Sequence, residues 1–208
     1  PRVSVAGRVT AARARVPNVL ELGHRGDFSF FIPSLNVDAA LGVTQGFSPF
    51  PTVGGVGSLD LIGSAGFVFL PGGSGWDDGS VFSIGIGTRL GILRESFVLP
   101  GISASLMYRR TGSATFGDRS LDSDDAFVDL GISNWSLRGA VGKRILGVSL
   151  TAGAGYDWYS SDVDWGFVNP STAGPSVIEV SYDGFDQSRA MLFGNITYTF
   201  LVLHLVGE

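Results

Sequence analysis

The sequence predicts an all-β protein: an up-and-down antiparallel transmembrane β-barrel of about eight strands. Three observations lead there. Long segments alternate apolar with small or polar residues at a period of two, the signature of strands with unlike faces. Hydrophobic residues make up 44% of the chain and charged residues only 16%, against about a quarter charged in soluble domains. No run approaches the ~20 apolar residues of a membrane-crossing helix, so the apolar residues are dispersed, as membrane strands disperse them. Third, the predicted connections alternate long and short, as they do when the two ends of a barrel face different compartments.

The elements follow in order. Arg2–Arg13 sets Val3, Val5 and Val9 against Arg2, Ser4 and Arg8, and Ala14–Asp27 reads as a loop broken by Pro17 and its glycines. Phe28–Phe47 is the second strand, interrupted near Pro33, with Leu35, Val37 and Leu41 opposing Asn36 and Asp38. Ser48–Gly55 holds Pro49 and Pro51 and is a turn. Val56–Leu70 is the third strand and Pro71–Gly79 a polar loop with Trp76. Val81–Ile92 and Gly101–Arg110 are the clearest pair. Phe82, Ile84 and Ile86 oppose Ser83, Gly85 and Gly87, and Ala104, Leu106 and Tyr108 oppose Ser103, Ser105 and Arg109.

Thr111–Asp125 is an acidic loop. In Ala126–Arg144 the apolar residues change parity, from Ala126, Val128, Leu130 and Ile132 to Trp135, Leu137 and Val141. A phase slip near Ser133–Asn134, of the kind a β-bulge makes, accounts for that. Ile145–Gly147 is tight, Val148–Ser160 is the seventh strand, Ser161–Asp186 the longest connection, with Val177–Tyr182 pairing locally, and Gln187–Leu203 the eighth strand.

One face of these strands is large and apolar, and the other is mostly Gly, Ala, Ser and Thr. A solvated surface would carry abundant Lys and Glu, and eight strands of Phe, Leu, Ile, Tyr and Trp would overfill a small interior. The apolar face therefore points to lipid. Along its full length the chain resembles a bacterial outer-membrane β-barrel, as one domain over residues 1–208. The resemblance implies a periplasmic N-terminus, odd strands running outward, an outer-membrane location with any signal peptide removed, and contact with lipid and lipopolysaccharide. Such barrels end on an aromatic strand residue. Here Phe200 is followed by Leu-Val-Leu-His-Leu-Val-Gly-Glu, so a truncated chain with ten or more strands is the alternative count.

Inward positions place Arg8, Asp38, Asp60, Arg89, Arg109, Asp129 and Arg138 in a lumen network, and charges of both signs there are expected to pair. Tyr108, Trp135, Tyr156, Trp158 and Tyr198 are expected in interfacial girdles. Asp122, Asp124 and Asp125 form a possible divalent-cation loop, though without the Gly and distal Glu of an EF-hand. No cysteine is present and the net charge is −5, which removes thiolate metal sites and argues against nucleic acid as a partner. No metal site or cofactor is expected from side-chain spacing. The two histidines, His24 and His204, show no catalytic spacing. The expected role is structural or interactive: a barrel plugged by Arg/Asp pairs, displaying acidic and aromatic loops, with Trp76, Trp165 and Phe167 available to other envelope proteins. Porin-like passage of small solutes and a rim-sited hydrolase are the alternatives.

Overall fold

The structure, a computed structural model, describes residues 2–17, 27–50, 54–71, 75–76, 79–121, 125–169, 176–200 and 203–207. Nine strands follow one another: β1 (Val3–Pro17), β2 (Asp27–Thr44), β3 (Ser58–Phe69), β4 (Ser80–Leu93), β5 (Gly101–Gly117), β6 (Ala126–Ile145), β7 (Val148–Asn169), β8 (Ser176–Phe200) and β9 (Leu203–Gly207). Each pairs antiparallel with its predecessor in the order β1 to β9. The sheet curls into a half-barrel. The all-β, up-and-down class is as expected. The count is nine, because the residues after Phe200 return as the short β9 beside β8, and among the described residues no ladder joins β1 to β8 or β9.

At the upper end, which bears the connections 18–26, 70–79, 118–125 and 170–175, the ladders run further than the sequence suggests. β1 and β2 stay paired up to Pro17 opposite Asp27, with Pro33 opposite Ala11 inside the ladder. Pro33 lies just beyond the last β2–β3 pair, Ser34 with Val68, so only one neighbour remains for its missing amide to affect. The expected loop Ser161–Asp186 is mostly a hairpin, paired up to Asn169 opposite Ser176 and including Val177–Tyr182. Acidic and Pro/Gly-rich composition there marks exposure to water, not loss of pairing. The connections consequently do not sort by length, since 45–57 at the lower end exceeds 170–175 at the upper.

The parity change in β6 has a different cause from the one expected. β6 and β7 pair without a register shift from Ile145 opposite Val148 to Ala126 opposite Phe167. The same face therefore carries Trp135, Leu137 and Val141 below and Asp129, Gly131 and Ser133 above, matched across the pair by Trp158 and Tyr156 below and by Asp162 and Asp164 above. The strand does not slip. Its surroundings change, and the convex face turns from apolar to acidic at Ser133 and Ser160. The bulge of this region lies instead on β5, between Thr111 and Ala114.

Above that boundary several apolar residues gather on the concave face, while Phe127, of Asp129's parity, is buried on the other side beneath Arg119. Phe30, Leu70, Val81 and Phe116 are buried on the concave side, and Trp76 packs edge-on against Phe30 and Phe116 at ring separations of 5.9 and 5.2 Å. Below it, Phe82, Ile84, Ile86, Leu137 and Ile196 are exposed on the convex face. From Trp135 to Ile145 the strand rises about 33 Å at ~3.3 Å per residue. With the ~40° tilt of barrel strands that is about 25 Å of height, the thickness of an outer-membrane apolar band.

β6 and β7 join through Leu146 and Gly147, both at positive φ (49° and 87°), as a two-residue type I′ hairpin requires. Glycine takes that conformation freely; leucine does not. Leu146→Asn, which keeps the turn and suits its backbone, is expected to stabilise the folded protein by about 1 kcal/mol. Denaturant unfolding in detergent measures it, and no gain would mean the turn relaxes without cost.

Candidate functional site

The concave face below the aromatic cluster is built from rows that run across the strands. The cross-strand register places Asp60, Arg89, Ser105, Arg138, Gly155 and Met191 in one row, on β3 through β8. The row above holds Ile62, Gly87, Met107, Ser136, Asp157 and Arg189, and the next holds Ser64, Gly85, Arg109, Asn134, Tyr159 and Gln187. Large side chains sit beside glycines in these rows, and the glycines let them lie flat. A Cβ on Gly155 would come within 2.6 Å of Arg138 Nη1, and one on Gly85 within 2.6 Å of Ser64 Oγ. Across that gap Arg109 on β5 passes over β4 to approach Ser64 on β3 at 3.4 Å.

The charges on this face pair along the wall. Arg89 donates from both Nε and Nη2 to Asp60 Oδ2, at 2.9 and 2.8 Å. Arg8 lies 4.0 Å from Asp38. Asp157, 1% exposed, accepts from Arg138 at 2.9 Å, from the Tyr159 hydroxyl at 3.2 Å and from Arg189 at 3.5 Å. Arg189 also donates to the Tyr159 hydroxyl at 3.2 Å. Arg109 has no carboxylate partner among the described residues; its other contact is Met107 Sδ at 4.0 Å, and its Nε is buried without a hydrogen bond. A cleft of about 720 Å³ lies over the lower rows, bordered by Arg8, Asp60, Arg89, Ser105, Arg138 and Phe193.

Of the expected lumen residues, Arg8, Asp38, Asp60, Arg89, Arg109 and Arg138 share this face. Asp129 does not. Its parity with Trp135 in an unshifted ladder puts it on the convex side, where it borders a depression with Tyr108, Arg110 and Asp164 and takes a hydrogen bond from Arg119 at 2.9 Å. The inferred phase slip had assigned it inward. The expected set also omits Asp157, Arg189 and Tyr159, which form the most heavily bonded cluster. Their positions on the small-residue faces of β7 and β8 were the available signal.

On the convex face Tyr108, Trp135 and Trp158 occupy one row, with Tyr108 and Trp135 rings 5.0 Å apart and Tyr156 packed 4.8 Å from Trp158 just below. Tyr198, opposite Val148, lies at the lower end. These five aromatic residues thus share the convex face, four near the level where it turns acidic and Tyr198 at the lower end. Trp76 belongs to the aromatic cluster rather than to a displayed loop. Trp165 and Phe167 stack at 5.4 Å on the β7–β8 extension.

The cation loop is only partly described: Asp122 and Asp124 lie outside the described residues, and the Asp125 carbonyl accepts the Val168 N–H at 2.9 Å. Among the described residues no group of three His, Cys, Asp or Glu side chains converges on a metal-sized site. His24 also lies outside them, and His204 falls opposite Thr199 in the β8–β9 ladder.

Fold and face together define the wall of a β-barrel, with an apolar convex band and an arginine-ribbed concave side. Protein-family models, curated proteins and solved structures give no match to this chain.

Asp157 holds two guanidinium groups and a phenol from a buried position, so removing it strands them. Asp157→Ala is expected to destabilise by about 2–3 kcal/mol, toward the lower end for a broken buried pair because Arg138 and Arg189 keep some solvent. Asp60→Ala, at a half-exposed pair, costs below about 1 kcal/mol. Equal losses in chemical denaturation would contradict the ranking.

Proposed function

We propose that this chain forms part of the wall of a bacterial outer-membrane β-barrel, with its concave face bordering an aqueous passage for small hydrophilic solutes. The carrying observation is width. Nine strands that turn through only half a barrel belong to a cylinder wider than the eight-stranded kind whose side chains fill the interior. Further support comes from the ion pairs, which join neighbouring strands along the wall. Among the described residues none crosses the concavity, as the pairs of a plug would.

Membrane embedding is supported by the switch from apolar to acidic on the convex face at Ser133 and Ser160 and by the aromatic row beside it. In hydrocarbon each unmet backbone group costs several kcal/mol. Among the described residues β1 and most of β8 have an unpaired edge, and in this reading further strands pair those edges. Lipid covers the convex band, and lipopolysaccharide meets the acidic zone above it.

Two measurements test the reading. Val141→Arg, near the middle of the band, is expected to cost about 2–4 kcal/mol in a bilayer, and Ser133→Arg at its edge about 0–1 kcal/mol; equal costs would point to water on the convex face. Detergent-folded protein that shifts on heating in unboiled gels is expected to give discrete openings in a planar bilayer. A heat-shifted protein with no conductance would overturn the passage and favour the plugged, interactive barrel.

A further inference from the structure

Resting on that reading of the concave face as a passage, we infer that the passage prefers anions, with Arg109 as the uncompensated charge that sets the preference. The chain as a whole is acidic, at net −5, but its charges are sorted by place. Acids collect on the convex side above the aromatic row, at Asp129, Asp162 and Asp164. The concave rows carry an excess of arginine.

The imbalance can be followed pair by pair. Asp38 offsets Arg8 and Asp60 offsets Arg89. The single carboxylate of Asp157 serves both Arg138 and Arg189. Among the described residues Arg109 meets Ser64 and Met107, and the buried Nε leaves one donor unmet. Its immediate neighbours in the row, Gly85 and Asn134, are neutral; the row's one carboxylate among the described residues, Asp38, lies beyond Ser64 on β2 and pairs with Arg8. Among the five arginines and three aspartates of these described rows, two positive charges remain, with Glu95, Arg2 and Arg94 at the lower end. They lie on a concave surface backed by an apolar wall, a geometry that concentrates field lines in the space it borders. Rings of Arg or Lys are the means by which pores select anions. The fitting solutes are small hydrated anions, for which guanidinium donors replace part of the water shell.

The test uses the full chain folded in detergent, checked by its heat shift, and reconstituted in a planar bilayer under a potassium chloride gradient. Chloride is expected to carry more current than potassium. Arg109→Gln is expected to lower the chloride-to-potassium permeability ratio by about twofold or more while openings persist. Arg109→Lys keeps the charge and is expected to retain the preference, which separates charge from packing. Asp157→Asn, if it folds, raises the ratio. Openings that favour potassium, or a ratio unmoved by Arg109→Gln, would overturn the anion preference and leave the passage standing. An absence of openings would remove the passage and this inference with it.

Discussion

A strand can satisfy its amide groups regularly only through the next strand, and that constraint shapes the described part of this chain. Every strand pairs with its neighbour in sequence, without a crossover. With the backbone settled in this way, the side chains are left to report the surroundings. They do so most clearly along β6 and β7, where one unbroken ladder passes through two environments. The faces exchange character at Ser133 and Ser160, and the buried aromatic cluster of Phe30, Trp76 and Phe116 begins on the concave side above that level.

The concave face obeys a second constraint. A guanidinium needs donors met on several sides and room for a long stem. Glycines supply the room: Gly85 makes space for the Ser64 hydroxyl that Arg109 reaches and Gly155 for Arg138. Carboxylates then meet the charge at Asp38, Asp60 and Asp157. Arginine suits this use because its planar fork can engage a carboxylate with more than one nitrogen, as Arg89 does with Asp60. Among the described residues the wall is thus braced sideways, strand to neighbour.

Much of this is legible in the residues alone. Alternation identifies β3, β4 and β5 and assigns their faces, because those strands lie largely within one environment. The convex placement of Tyr108, Trp135, Tyr156, Trp158 and Tyr198 and the concave placement of six of the seven charges expected inward follow from the same parity. What escapes is whatever depends on a change of surroundings. A period-two pattern that inverts reads as a slipped strand, which misplaced Asp129. Polar hairpin extensions read as loops, which shortened β7 and β8. Closure escapes as well, since curvature is a property of many strands and no local window carries it. Asp157 and Arg189 lie in plain view on the correct parity, but their meeting depends on the register between β7 and β8.

The Leu146–Gly147 turn bears on how such a sheet comes to be made. It encloses almost no chain, so bringing β6 against β7 costs less loop entropy than joining β2 to β3 across 45–57. The ladder it starts runs without a bulge up to Ala126 opposite Phe167, and contacts this local form quickly. The β6–β7 hairpin is thus a part of the wall that forms at small cost in loop entropy.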